Sequence, residues 1–263
     1  MSEREKIIRY YRASGEAELA AKLLDIAEAA LRYQKYKISD FLDPFGISVA
    51  ETIIAHYGRL RLASDGGYPG AERVKAAFVT NDYMGTIDFG ISVLAVQYDS
   101  RYYSLSHRDV LGALTGAGLK REVIGDIIPG DRQYQYQILI DAKLVEFVLR
   151  NLTQIGPAPV QLSLLDLTEI VPREETLKEI RATVASLRLD SVAAAGFGTS
   201  RTKMAAEIMA EKVRVNWQDA RNSSQIIKPG DVIAMRGRGR VEVCEIGGQT
   251  KKGRTSLLLK RYL

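Results

Sequence analysis

Apolar residues in the first part of the chain recur three or four positions apart. Ile7, Ile8, Tyr11, Leu19, Leu23, Leu24, Ile26, Ala27 and Leu31 predict helix over residues 2–36, broken near Ser14-Gly15. Ser39-Asp40 suits the cap of a short turn and Asp43-Pro44 the start of another, and Ile47 to Tyr57 has helical spacing before the turn-rich run Ser64 to Gly70. Residues 1–73 are therefore expected to form a small helical N-terminal domain.

From Val74 the pattern changes to short β-type runs at Val74 to Thr80, Ile91 to Tyr98, Glu122 to Ile128, Gln135 to Ile140 and Val160 to Leu167. Helical spacing at Arg108 to Ala117, behind a Ser106 cap, and at Ala142 to Leu152 falls between them. From Ile91 the order is βαββαβ, which predicts a ferredoxin-like, RRM-like sandwich within residues 74–172. Pro172 and Arg173-Glu174-Glu175 mark a junction, and Glu175 to Leu187 reads as a connecting helix into a last domain, 173–263. There, Arg188 to Ala195 suits a helix closed by Gly196. Thr199-Ser200 caps a second helix through Lys212, Val213-Arg214-Val215 alternates as a strand, and Lys228-Pro229-Gly230-Asp231 turns into another. The fold class is α+β.

Charge sharpens this outline. The net charge is +5, but residues 187–263 hold fifteen Lys+Arg against seven Asp+Glu, while residues 1–186 hold 22 against 25. All the positive excess is in the last domain, as expected where phosphates are neutralised and counterions released; a merely solvated basic face is the alternative. The first residues have no apolar core of signal-peptide length, and no window reaches a membrane-spanning run, so a cytoplasmic protein without membrane contact is expected. One cysteine, Cys244, allows no intramolecular disulfide, and no Cys/His cluster offers the ligands of a zinc site. No cofactor, metal or small-molecule substrate is expected.

Arg201 falls in the first turn of the second predicted helix, where free backbone N–H groups and the helix dipole favour an anion, and Lys203 lies close by. Lys212, almost three turns on, shares its face, with Ala205 and Ile208 turned inward. Arg188-Leu189-Asp190, Ser200-Arg201, Val213-Arg214-Val215-Asn216 and Lys228-Pro229-Gly230-Asp231, in this order and spacing, resemble the S4 RNA-binding domain. The resemblance implies that Arg188, Ser200, Arg201, Lys203, Lys212, Arg214 and Asn216 hold structured RNA, chiefly through its backbone, whereas Asp190 orients a helix start and Gly230 serves the turn. Arg236, Arg238 and Arg240 extend this footprint, or protect a hairpin edge.

Gly66-Gly67-Tyr68-Pro69-Gly70-Ala71-Glu72-Arg73, His107 to Leu114 and Lys120 to Ile127 resemble the YlmH family, including its cyanobacterial and plastid branch called photosystem II S4 domain proteins. That resemblance implies a helical domain, an RRM-like domain and an S4 domain, with structured ribosomal or transfer RNA as partner. His107, Arg108, Lys120 and Arg121 form a possible second RNA patch. Tyr134 and Tyr136 could share a sheet face as stacking aromatics, although packing explains them more easily. Catalysis has little raw material. Ser200-x-x-Lys203 lacks its companion motifs, Gly196-Phe197-Gly198 follows no strand, and His56 and His107 fall in different domains. An RNA-modifying enzyme using Asp109 or Asp126, and a protein-docking adaptor linked to photosystem II, stand as the alternatives to a non-catalytic RNA binder.

Overall fold

The computed structural model describes residues 3–12, 16–130, 134–171 and 177–262, and the chain divides into two compact units, 1–173 and 174–263. The break expected at Ser14-Gly15 and the junction at Pro172 to Glu175 lie outside the described residues.

The first unit begins with α1 (Glu3–Arg12) and α2 (Ala17–Tyr33). Ala20, Leu23, Leu24, Ala27 and Ala30 form the buried stripe of α2, the three-and-four spacing that the sequence shows. Arg4 ties the helices together through Asp25 at 2.7 Å and Glu28 at 3.1 Å. The N-terminal domain is nevertheless not wholly helical. β1 (Tyr36–Leu42), α3 (Pro44–Tyr57), β2 (Leu60–Asp65) and β3 (Val74–Thr80) add a three-stranded antiparallel sheet, ordered β1-β3-β2. Ser39-Asp40, expected in a turn, sits in β1 at a register shift, and the Ser39 hydroxyl accepts from the Ala76 amide at 2.9 Å. Val74–Thr80, expected as the first run of the middle domain, is the central strand here because its residues are buried on both faces between β1 and β2.

β4 (Ile91–Gln97), α4 (His107–Gly116), β5 (Ile124–Pro129), β6 (Tyr136–Asp141), α5 (Val145–Asn151), a small hairpin of β7 (Gln154–Ile155) and β8 (Ala158–Pro159), and β9 (Gln161–Leu165) complete the unit. The sheet order β5-β6-β4-β9, antiparallel throughout, is the ferredoxin-like arrangement that βαββαβ predicts. Leu94, Val96, Ile138 and Ile140 face α4 and α5 through Val110, Leu114 and Val148. Tyr136 belongs to this helix-facing core, its hydroxyl bonded to Leu105 O at 2.8 Å, so it offers no stacking ring. The opposite face is aliphatic and covered. Val93 and Leu139 pack with Ile170 and Tyr68, and the buried Gln137 accepts from the Val171 amide.

Two clamps join the halves of this unit. Lys75, 4% exposed, donates to Asp141 at 2.7 Å and to the carbonyls of Phe89 and Gly90. Asp126 accepts from the Tyr68 hydroxyl and from the amides of Glu72 and Arg73 at 2.8–3.1 Å, pinning the loop of residues 66–73. A Cβ on Gly66 would meet Arg73 O at 2.8 Å and one on Gly67, with φ +90°, would meet Leu139 at 2.5 Å; only glycine lets the loop approach so closely.

The second unit starts with β10 (Leu177–Val184), where a helix was expected, followed by α6 (Leu189–Phe197), α7 (Arg201–Met209), β11 (Val213–Val215), β12 (Gln218–Asp219), β13 (Val232–Met235), β14 (Gly239–Gln249) and β15 (Thr255–Tyr262). The sheet order is β10-β15-β14-β13-β11-β12. Its core gathers Val192, Phe197, Met204 and Ile208 from the helices with Val213, Ile233, Val241 and Leu259 from the strands. α6 ends at Gly198, φ +61°, beyond the expected stop at Gly196, whose added Cβ would lie 2.7 Å from Val241. α7 ends at Met209, so Lys212 lies past it in a turn, and Met204 takes the inward place expected of Ala205.

Candidate nucleic-acid interface

The positive surface of the second unit is organised by two carboxylates. Asp190, buried in the first turn of α6, receives Arg188 at 3.1 Å and the Arg201 Nε at 3.0 Å. Burial alone would raise the Asp190 pKa; hydrogen bonds and charge from Arg188 and Arg201 outweigh it and hold the carboxyl below its ordinary value. The two guanidiniums therefore stand side by side at the start of α7. Ser200 is engaged locally, its hydroxyl accepting from the Lys203 amide at 3.2 Å as the N-cap.

Glu207, one turn beyond Lys203, is the second anion. Lys212 lies 2.8 Å from it, and the hydrogen bond from Lys212 with the charges of Lys212, Lys203 and Arg238 lowers the Glu207 pKa. Arg238 donates to Phe197 O at 2.7 Å, closing the C-terminal end of α6, with its guanidinium 6.0 Å from the Phe197 ring centre. Arg261 lies against the same ring at 5.5 Å, and its buried Nε has no hydrogen-bond partner among the described residues. The Arg236 amide donates to Lys212 O at 2.9 Å, which brings the exposed Arg236 beside the turn after α7. Lys203, Lys212, Arg236 and Arg238 thus join Arg188 and Arg201 along α7.

The remaining candidates are held differently. Arg214 pairs with Asp219 across the β11–β12 hairpin at 2.8 Å. Asn216 is a fold-stabilising residue at the hairpin tip, φ +49°, donating to Asp231 and accepting from the Val232 amide. Arg240 stacks on Tyr262 at 4.3 Å. Ion pairs on exposed surface are weak, so Lys212 and Arg214 can exchange a carboxylate for a phosphate at small cost, whereas Arg201 is anchored on the buried Asp190. Sequence reasoning missed Glu207 and Phe197, and read Arg261 only as part of a terminal basic pair with Lys260. Glu207 was legible in its four-residue spacing from Lys203, whereas Arg261 reaches the site only through the pairing of β15.

In the first unit, His107 and Arg108 open α4, Lys120 precedes a 3-10 turn, and Arg108 and Lys120 are exposed. Arg121 turns inward. It donates to the carbonyls of Ile124 and Gly125, while Arg73 donates to Ile124, Phe41 and Arg121 carbonyls. Burial and the neighbouring Arg73 charge bring the Arg121 pKa down to about 10. Desolvation by surrounding chain and the Arg121 charge lower the His107 pKa, although the ring keeps an exposed edge. This patch therefore offers Arg108, Lys120 and the rim of His107.

Three family models match in tandem: "YlmH, N-terminal" over residues 15–83, "Putative RNA-binding domain in YlmH" over 85–169 and "S4 domain" over 187–233. Across 231 residues the chain is 36% identical to "Ribosome-associated protein quality control protein P2" of Bacillus subtilis, covering 86% of this chain and 88% of that protein. The chain belongs to the YlmH family. A solved structure, "Cell division protein ylmH from Streptococcus pneumoniae", shares the fold with a TM-score of 0.51 at 22% identity, over 60% of this chain and 94% of that one.

As a YlmH protein the chain carries an S4 domain whose match stops at residue 233, whereas the core of the unit also needs Val184, Val241, Val243, Leu257 and Leu259. In the YlmH middle domain the sheet face on which an RRM stacks bases is covered. The carboxylates considered for catalysis are occupied. Asp109 forms the capping box of α4 with Ser106, and Asp126 holds the loop 66–73. Among the described residues no group of three or more His, Cys, Asp or Glu could hold a metal ion, and no helix is long and apolar enough to cross a membrane.

Proposed function

We propose that this protein binds structured ribosomal or transfer RNA, without catalysis, through α7 and its flanking arginines, and that it does so on the ribosome. The observation that carries this reading is the row of cations set around Asp190 and Glu207 on and beside α7, with Arg188 and Arg201 anchored on the buried Asp190, Lys212 on the part-buried Glu207, and Lys203 and Arg236 exposed. The S4 match supports the RNA partner, and the Bacillus relative, named for ribosome-associated protein quality control, supports the ribosomal setting. The α4 edge of the first unit, with the exposed Arg108 and Lys120, offers a weaker RNA contact of its own.

The test is charge reversal. Arg201→Glu with Lys203→Glu should weaken cosedimentation with ribosomal particles by about tenfold or more, and the salt dependence of binding should flatten by about two phosphate contacts. Trp217 fluorescence verifies that the unit remains folded. Unchanged affinity in a folded double variant overturns the reading.

A further inference from the structure

Four segments meet at one end of the N-terminal domain: the C-terminal end of α2, the start of β1, the start of β2 and the end of β3. Backbone bonds from Thr80 N to Lys35 O at 3.0 Å and from Asn81 N to Arg59 O at 3.1 Å hold them together, and the Asn81 side chain donates to Gly58 O. On this scaffold the Tyr36 and Tyr83 rings lie 5.3 Å apart, tilted by 57°, and the Lys35 Nζ stands 5.4 Å and 6.0 Å from their centres. The Lys37 Nζ stands 4.7 Å from the ring of Tyr33, which is 65% exposed. Arg61 fixes the Tyr83 backbone through its carbonyl. Beside them opens a recess of about 500 Å³, lined among others by Gln34, Arg59, Thr80 and Met84.

We infer that this end of the domain is a second nucleic-acid site, one that takes unpaired nucleotides. Lys35, Tyr36 and Tyr83 on one side of the edge strand β1, and Lys37 with Tyr33 on the other, supply what single strands crossing that edge require: aromatic surface for bases, positive charge for the intervening phosphates. Among the described residues no carboxylate lies within ion-pair distance of Lys35, Lys37 or Arg59, in contrast to Arg201, Lys212 and Arg214 in the second unit. Lys35 and Arg59 also follow the C-terminal ends of α2 and α3, where a cation complements the helix dipole. That role accounts for neither Lys37, which lies within β1, nor the exposed Tyr33 ring beneath it. A duplex hides its base faces, so the ligand is a loop, bulge or single-stranded segment.

The site is independent of the S4 surface and is tested with that surface disabled. In full-length protein carrying Arg201→Glu and Lys203→Glu, binding of a short unstructured labelled RNA should fall by about tenfold on adding Lys35→Glu with Lys37→Glu, and by about fivefold with Tyr33→Ala alone. Ultraviolet crosslinking of the parent should place nucleotides on Tyr33, Tyr36 or Tyr83. Tyr33 and Lys37 are exposed, so melting monitored by circular dichroism should not change, and Tyr33→Ala keeps the test valid if the lysine pair perturbs folding. Unchanged affinity in both variants, or crosslinks confined to residues outside 31–37 and 80–84, overturns the inference. If the S4 reading itself fails, the background substitutions leave binding unaltered while this comparison still decides.

Discussion

The Arg201 Nε lies 3.0 Å from a carboxylate oxygen of Asp190, whose side chain is only 5% exposed, while the Arg201 side chain itself is half open to solvent. The pair couples the interior of the S4 unit to its surface, because Asp190 also fixes Arg188. Its depressed pKa sets a direction with pH. A carboxylate whose folded pKa lies below the unfolded value, near 3.9, contributes stability that is full above that value and is lost as pH falls through the folded one. Asp190→Asn should cost about 2 kcal/mol at neutral pH and should flatten the acid-side loss of stability. Denaturant unfolding followed by Trp217 fluorescence, from neutral pH down through the carboxylate range, reads both effects. Equal stability of variant and parent at neutral pH would show that the pair is energetically idle.

Glu207 works against binding on the proposed RNA face. Its carboxylate occupies Lys212 and offsets the fields of Lys203 and Arg238. Glu207→Gln should tighten RNA binding by about threefold, the size of a surface ion pair, with a steeper salt dependence. Filter binding across a salt series checks this. Weaker binding would mean that Glu207 orders Lys212 for contact.

The first unit should fail at its clamps. Lys75→Ala leaves Asp141 half-buried without its cation and should destabilise the unit by about 3 kcal/mol. Asp126→Ala frees three donors in the loop 66–73, which should exchange amide hydrogens faster at Glu72 and Arg73. Tyrosine and circular-dichroism signals report these losses. Trp217, the single tryptophan of the chain, lies in the other unit and should keep its own transition.

Where residues near in sequence decide the structure, the sequence was readable. The stripe of α2, the Ser106 and Ser200 caps and the βαββαβ order all depend on neighbours a few positions away. β10 was not. Leu177, Ile180, Val184 and Leu187 recur at helical spacing among charges that suit a helix, yet the segment is an edge strand because β15 offers it a partner of equal length. β1 and β2 were hidden in the same way, since their pairing strand β3 lies beyond a turn-rich loop. Among the candidate residues, type and spacing located the cations but not their direction. Arg73 points its guanidinium at the Phe41 carbonyl and Asn216 bonds across to Asp231, acceptors that arrive from distant segments, while Arg121 folds back onto the carbonyls of Ile124 and Gly125, a local turn that residue type alone does not reveal.

The pairing of β10 with β15 also governs the order of events during synthesis. Leu177 is matched to Tyr262, and β15 is an interior strand between β10 and β14. A nascent chain that has extruded both helices of the S4 unit still lacks the strand that closes its sheet, so the basic surface acquires its final support only once residue 262 has left the exit tunnel.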